Sequence, residues 1–225
     1  MELKPRLVDV VVPDRPVAVA LVLHGGASRR ANRTVSPTQL SVLRMIPVAR
    51  RIARVGGSRL AVFRLLNSRR GWDAHHTPVR DAHWALEEAA TRLGGSLPTC
   101  LVGHSLGGRA ALLSANRLEV RSVVALAPWV YSTDVPDGLS AERILIVHGS
   151  KDRIASPERS AALARRLGGV ARVGYVAIDG GGHAMVKRHA LFDGLAAEFA
   201  VTTLLGERGS DVLARVENGE AWIRV

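Results

Sequence analysis

Cysteine is almost absent from this chain, which has one, Cys100, in 225 residues. A single cysteine excludes an intrachain disulfide and favours a reducing, cytoplasmic location. Because Cys100 begins an apolar run, we interpret it as a small buried hydrophobic residue and not as a nucleophile. His75, His76 and His83 have no cysteine or carboxylate at ligand spacing, so we predict no metal site.

Long apolar segments are also missing. No run approaches the roughly 20 residues of a membrane-spanning helix, and the first 15 residues lack the basic start and apolar stretch of a signal peptide. There is no Gly-x-x-x-x-Gly-Lys phosphate loop, and the glycines at 180–182 lack the spacing of a dinucleotide fingerprint. These absences predict no membrane span and no cofactor. The length of 225 residues suits one compact domain, so we predict a single domain over residues 1–225.

Lysine is scarce although the formal net charge is +11, since 28 of the 31 basic residues are arginine. A basic chain attracts nucleic acid, but a specific interface needs its basic residues on one face or along one helix. The arginines occur singly or in pairs over nearly every segment, so we expect no specific nucleic-acid binding. Weak attraction to phosphate falls steeply with salt. A fluorescence-anisotropy titration with DNA at about 0.15 M salt should show no submicromolar, sequence-selective binding.

Strand and helix patterns alternate along most of the chain. Apolar runs predict strands over 6–12, 17–23, 60–65, 99–102, 122–126, 143–147 and 171–178. Helical spacing predicts helices over 37–55, 79–93, from after 105 to about 117, over 157–167 and over most of 185–205. The alternation implies an α/β fold, with a mostly parallel sheet and helices on both faces.

The C-terminal extension, residues 206–225, departs from this alternation. Asn218-Gly219 is a strong signal for a type I′ turn, and the segments 212–217 and 220–225 flank it. We predict a β-hairpin here, which extends the edge of the sheet or joins two copies of the chain into a homo-oligomer.

The most informative motif is Gly103-His104-Ser105-Leu106-Gly107, which fits the G-x-S-x-G pattern. An apolar strand precedes it and an Ala- and Leu-rich helical segment follows, so it predicts a sharp strand-to-helix turn. The glycines let the strand and the helix approach closely, and the turn exposes the Ser105 hydroxyl. The N–H of Leu106, at the start of the helix, then faces the place where an oxyanion would form.

Two further loops carry reactive side chains directly after predicted strands. Asp152 follows the strand at 143–147, and His183 follows the strand at 171–178. Sites in open α/β sheets lie beyond the carboxyl ends of the strands, so we expect both side chains near Ser105. A serine hydroxyl needs a base to become a nucleophile, histidine with its ordinary pKa of about 6.5 is a suitable base, and a buried carboxylate orients it. Asp134, in the loop after the strand at 122–126, is the rival acid.

The sequence resembles a small α/β-hydrolase of the esterase, lysophospholipase and dienelactone-hydrolase-like group, over about residues 17–205. The resemblance is carried by Leu-His-Gly-Gly at 23–26, Val-Gly-His-Ser-Leu-Gly-Gly at 102–108, His-Gly-Ser-Lys-Asp at 148–152 and Gly-Gly-His at 181–183. It implies the α/β-hydrolase fold, with Ser105 as nucleophile, His183 as general base and then acid, and Asp152 orienting His183. We expect His104 to pack under the serine turn, and His24 and His148 to make structural hydrogen bonds.

The resemblance also implies how substrate is held. The N–H of Gly26 or Ala27 would join that of Leu106 as an oxyanion donor. Many relatives insert a cap after the strand that ends here at 126, and the short loop over 127–139 predicts little or no lid. Trp72 and Trp129 are candidates to line the acyl or alcohol pocket.

The implied activity is hydrolysis of a small-molecule carboxylic ester through an acyl-enzyme, with thioesters and lactones as further candidate substrates. A peptidase or an acyltransferase would use the same triad, and both remain alternatives. A non-catalytic binding protein with this fold is the alternative from another class, and it would have no need of Ser105, Asp152 and His183 together.

Overall fold

One mixed sheet runs through the part of the chain that the computed structural model describes, residues 4–26 and 34–225. Its eight strands are β1 (Arg6–Val11), β2 (Ala18–Leu23), β3 (Leu60–Leu66), β4 (Thr99–His104), β5 (Val120–Leu126), β6 (Arg143–Gly149), β7 (Arg172–Ile178) and β8 (Trp222–Arg224). They lie in the order β1-β3-β2-β4-β5-β6-β7-β8. Only the β1–β3 pair is antiparallel among these strands, so the prediction of a mostly parallel sheet is confirmed.

Helices cover both faces of the sheet, as predicted. Those of the described residues are α1 (Leu40–Leu43), α2 (Met45–Gly56), α3 (Thr77–Leu93), α4 (Leu106–Leu113), α5 (Pro157–Leu167), α6 (His189–Leu205) and α7 (Asp211–Glu217). Apolar side chains of α2, α6 and α7 pack on one face, and those of α3, α4 and α5 pack on the other. None of these helices is long and apolar enough to cross a membrane.

The central strands are apolar throughout because both of their faces are covered. Every residue of β2 and of β4 is buried. Full burial of one Val or Leu side chain contributes about 1.5–3 kcal/mol, so these strands hold the sheet against the helical layers. The carboxyl ends of β2, β4, β6 and β7 consequently meet at one rigid edge.

The helix expected over 37–55 is interrupted. It forms as α1 and α2, with a break at Arg44. Pro47 has no N–H and so cannot donate to the carbonyl of Leu43, which is the hydrogen bond that a continuous helix would need there. Leu40, at the start of the short helix α1, borders the cavity beside Ser105.

The predicted C-terminal hairpin is wrong. Residues 211–217 form helix α7, and β8 pairs with β7 in parallel, so Asn218 and Gly219 end a helix instead of turning a hairpin. Leu213 and Val216 are buried at helical spacing, and Val216 packs where a side chain on Gly174 of β7 would otherwise lie. This packing outweighs the local turn signal. The extension does lengthen the edge of the sheet, but there is no hairpin through which two copies could join.

The carboxyl edge of the sheet is open between β5 and β6. Residues 127–142, which connect these strands, contain no helix or strand. The expectation of a fold without a cap is therefore confirmed, and the loops after β2, β4, β6 and β7 are left to form the site.

Candidate active site

Ser105 occupies a strained turn between β4 and α4. Its φ of 57° and ψ of −119° lie outside the regions that residues with a side chain ordinarily adopt, at a cost of about 1–3 kcal/mol. The flanking glycines allow the close approach of the two elements. A Cβ on Gly103 would lie 2.1 Å from the carbonyl oxygen of Gly107, and one on Gly107 would lie 2.5 Å from that of Leu23.

A hydrogen-bonded chain connects Ser105, His183 and Asp152. Ser105 Oγ is 3.0 Å from His183 Nε2, and His183 Nδ1 is 2.7 Å from Asp152 Oδ2. A carboxylate only accepts hydrogen bonds, so Nδ1 carries the hydrogen and donates a hydrogen bond to Asp152. In the neutral ring Nε2 then presents its lone pair to the serine hydroxyl, as a general base must.

The carboxylate of Asp152 is fully buried and is held at both oxygens. Oδ1 accepts the backbone N–H groups of Ile154 at 2.8 Å and Ala155 at 3.0 Å. Oδ2 accepts from His183 and, at 3.1 Å, from His148 Nε2. Burial raises the pKa of this carboxyl, but the hydrogen bonds from His148, from His183 and from the two N–H groups outweigh it and leave the pKa well below its usual range. Asp152 is therefore ionised at neutral pH.

Asp134, the rival acid, faces a different partner. Its Oδ1 accepts a 2.9 Å hydrogen bond from Arg109 Nη2, and its Oδ2 accepts the N–H of Tyr131 at 2.8 Å. Both side chains of this ion pair are largely buried. The carboxylate is neutralised by arginine, and the carboxylate that contacts His183 is that of Asp152.

The two candidate pocket tryptophans pack around the same arginine. The guanidinium carbon of Arg109 lies 4.1 Å from the ring centre of Trp72 and 5.6 Å from that of Trp129, and cation–π attraction holds these rings. Trp129 also lines a cavity of about 340 Å³ between the loops after β5 and β6. Neither ring belongs to the described wall of the cavity beside Ser105. A contact between either ring and substrate stays a prediction.

The loop after β2 lies directly against the serine turn. A Cβ on Gly25 would be 3.1 Å from Ser105 Cβ, and one on Gly26 would be 3.5 Å from Leu106 Cδ1. Gly26 also admits no side chain because a Cβ there would be 2.0 Å from the carbonyl oxygen of Arg70. The N–H of Leu106 is at the first position of α4 and has no partner within the helix. Ala27, the other predicted oxyanion donor, lies outside the described residues.

Two buried histidines support these loops and stay neutral. His104 Nε2 is 2.9 Å from the carbonyl oxygen of His183, and the N–H of Asn67 donates to His24 Nε2 at 3.1 Å. Burial lowers the pKa of His104 to about 3, helped by the nearby His183, and lowers that of His24 to about 4. Neither ring is therefore a competing base at neutral pH.

The same two histidines should make the stability of the folded protein sensitive to acid. In the unfolded chain each would bind a proton below its ordinary pKa of 6.5, but in the folded chain each stays neutral until about pH 3–4. The unfolded state then binds more protons than the folded state. The free energy of unfolding should therefore decrease as the pH is lowered, by up to about 1.4 kcal/mol per pH unit for each histidine. Urea unfolding at a series of pH values between about 6.5 and 4 measures this slope.

Replacing His24 by glutamine should remove that residue's share of the slope. His75→Gln is the matched control, because its side chain is exposed. A free energy of unfolding that stays constant over the interval would contradict the assignment of two buried neutral rings.

A small, mostly apolar cavity opens beside Ser105. Its volume is about 260 Å³, and its described wall consists of Gly25, Gly26, Leu40, Ser41, Arg44, His104, Ser105, Ile154, His183 and Ala184. Leu40 is 84% exposed and Ile154 is 68% exposed, although both are large apolar side chains. The sequence did not point to these two residues. Nothing in the segment around Leu40 marks it as part of a site, and Ile154 stands out only as the second residue after Asp152. The described residues contain no cluster of His, Cys, Asp or Glu that could hold a metal ion.

Known structures share this architecture, although no protein-family model and no curated protein matches the sequence. Est1E from Butyrivibrio proteoclasticus aligns with a TM-score of 0.64 at 16% identity, covering 89% of this chain and 94% of that one. XC6422 from Xanthomonas campestris, described as an α/β serine hydrolase without a lid, aligns with a TM-score of 0.65 at 19% identity, covering 88% and 86%. The esterase PE8 gives 0.62 at 16% identity, covering 91% and 100%. The chain therefore has the α/β-hydrolase fold, in its form without a cap.

Proposed function

We propose that the protein is a serine hydrolase that cleaves carboxylic esters through an acyl-enzyme. The observation that carries this proposal is the continuous hydrogen-bonded chain from Ser105 through His183 to the buried Asp152. It starts at Ser105, whose backbone is strained. Backbone strain of this kind is held in place by the surrounding structure and clusters at functional sites.

Acylation follows from the proton positions. Ser105 Oγ attacks the ester carbonyl carbon while its proton passes to His183 Nε2. Asp152 stabilises the resulting imidazolium through Nδ1 without taking up the proton itself. His183 then gives the proton to the departing alkoxide, so the alcohol leaves neutral and the acyl group stays on Ser105.

Deacylation repeats these steps with water as the attacking group in place of the Ser105 hydroxyl, and Ser105 is the group that leaves. The N–H groups of Leu106 and Gly26 are the proposed donors to the oxyanion in both steps, because both residues adjoin the nucleophile. Loss of one such donor typically costs about 3–4 kcal/mol of barrier stabilisation. No residue takes up net charge over the cycle.

The apolar cavity supports a short apolar acyl group. Its volume of about 260 Å³ lies below the roughly 300–1,000 Å³ of typical ligand pockets. Leu40 and Ile154 present exposed apolar surface at its rim, which an acyl chain would cover. Charged acyl groups would be desolvated there without a described partner, since the Arg44 guanidinium is already engaged by Asp193 at 2.7 Å.

A series of p-nitrophenyl esters tests this proposal. We expect kcat/KM to be highest for short straight acyl chains and to fall for chains too long for the cavity. Methyl ferulate belongs in the series because Est1E is known with ferulic acid bound. Turnover of peptide amides with none of esters, or transfer to an added alcohol with no release of acid, would replace the esterase assignment by one of its alternatives.

A further inference from the structure

His148 is a buried histidine for which the proposed reaction gives no role. It lies in β6 with its side chain fully buried. Its Nε2 is 3.1 Å from Asp152 Oδ2, the same oxygen that is 2.7 Å from His183 Nδ1. Two imidazole rings thus share one carboxylate oxygen, one of them facing Ser105 and the other enclosed behind Asp152.

The surroundings of His148 fix the proton on Nε2. The two groups within hydrogen-bond distance of this nitrogen are Asp152 Oδ2 and, at 3.2 Å, the carbonyl oxygen of Ala155. An ionised carboxylate and a carbonyl are acceptors only. Nε2 must therefore carry a hydrogen and donate it toward Asp152.

Ser160 and Tyr175 hold the other nitrogen of the ring. His148 Nδ1 is 2.7 Å from the hydroxyl of Ser160, which is itself fully buried. The Tyr175 hydroxyl donates to the carbonyl oxygen of Pro157 at 3.1 Å, and the Ser160 hydroxyl lies 2.9 Å from the same oxygen, so Ser160 contacts both Nδ1 and this carbonyl. The imidazole is thereby fixed at both ends, and its direction toward Asp152 is set.

We propose that His148 is a positioning residue for the ester hydrolysis proposed above, on which this inference rests. The backbone N–H groups of Ile154 and Ala155 hold only Oδ1 of Asp152. His148 supplies the remaining constraint at Oδ2, so the carboxylate keeps the plane that receives His183. His148 touches no reacting atom and acts through Asp152.

Removal of this donor has two separable consequences. The carboxylate gains freedom to rotate, which misaligns His183 and lowers kcat while leaving KM nearly constant. In addition, Oδ2 loses one hydrogen-bond donor, so more of its negative charge is left to attract a proton to the site. The acid limb of the kcat/KM profile should then move to higher pH.

The test compares His148→Leu with His148→Gln on p-nitrophenyl butyrate over about pH 5–9. A fluorophosphonate titration to completion gives the active-site concentration for each protein. We expect His148→Leu to lose about ten- to a hundredfold in kcat, the effect of one charge-assisted hydrogen bond. Glutamine can place an N–H donor where Nε2 was, so His148→Gln should restore most of kcat and the native acid limb.

A second pair of variants protects the test against misfolding of His148→Leu. Ser160→Ala removes the hydroxyl that holds Nδ1, and we expect kcat to fall several-fold. Ser114→Ala is its matched control, because Ser114 is also fully buried but its hydroxyl has no partner among the described residues. A role in stability alone would lower the melting temperature and leave kcat per active site and the acid limb in place.

The outcomes separate this inference from the proposed function. An inactive Ser105→Ala together with unchanged kcat and pH profiles in His148→Leu and Ser160→Ala overturns the inference alone. Native turnover by Ser105→Ala overturns the proposed function and the inference with it. Loss in His148→Leu, recovery in His148→Gln and a neutral Ser114→Ala support the positioning role.

Discussion

Replacement of Asp152 by asparagine should lower kcat by about four orders of magnitude, by analogy with serine-protease triads. The N–H groups of Ile154 and Ala155 require an oxygen at the Oδ1 position. The amide NH₂ of the asparagine then takes the Oδ2 position, between His148 Nε2 and His183 Nδ1. It donates to Nδ1, and His148 has to move its own proton from Nε2 to its other ring nitrogen. The proton of the neutral His183 ring is thereby forced onto Nε2, which can no longer accept the proton of Ser105.

Asp134→Asn is the matched comparison, because it makes the same change in the other buried carboxylate. It should leave kcat per folded molecule close to native. It removes the charged partner of the buried Arg109, so the free energy of unfolding should drop by about 3–5 kcal/mol. Steady-state kinetics and urea unfolding on both variants decide the assignment. If Asp134→Asn lowered kcat by orders of magnitude and Asp152→Asn left it close to native, Asp134 would be the residue that orients His183.

Ser105→Ala should abolish ester turnover while the protein stays folded. Removal of the nucleophile of a serine triad lowers kcat by about 10⁶-fold. Alanine at a φ of 57° carries the same backbone strain as serine, so the melting temperature should change little. Turnover measured beside circular dichroism separates the two effects, and native turnover with an unchanged spectrum would remove Ser105 as the nucleophile.

Much of the fold could be predicted because the chain marks its elements with local signals. Apolar runs at 17–23 and 60–65 correspond within one residue to β2 and β3. The strand predicted over 143–147 extends to Gly149 as β6, because His148 is polar in sequence but buried in the structure with Asp152 and Ser160 as partners. A polar residue with buried partners gives no apolar signal.

The C-terminal extension shows where local signals mislead. Asn218-Gly219 matches a hairpin turn, but the apolar spacing of Leu213 and Val216 suits a helix that packs over Gly174. Gly174 is about 40 residues away in the chain, so that space is visible only once β7 is in place. Tertiary packing then decides between two locally acceptable conformations.

For the candidate site, the G-x-S-x-G motif, the positions of Asp152 and His183 after strands and the family resemblance led to the three residues that the structure brings into hydrogen-bond contact. Reactive side chains directly after parallel strands must meet at one edge of the sheet. The residues alone left Asp134 as a rival to Asp152, because only the structure shows that Asp134 pairs with Arg109. Likewise, the exposure of Leu40 and Ile154 at the cavity depends on where α1 and the loop after β6 lie relative to Ser105.

Covalent labelling with a fluorophosphonate tests the central claim most directly, since the reagent forms a stable bond only with an activated serine. Intact-mass measurement should show one adduct on each chain, and peptide mapping should place it on Ser105. The Ser105→Ala protein should remain unlabelled, and His183→Ala should label far more slowly because its serine lacks a base. No adduct on the folded protein, or an adduct on another serine, would contradict the account.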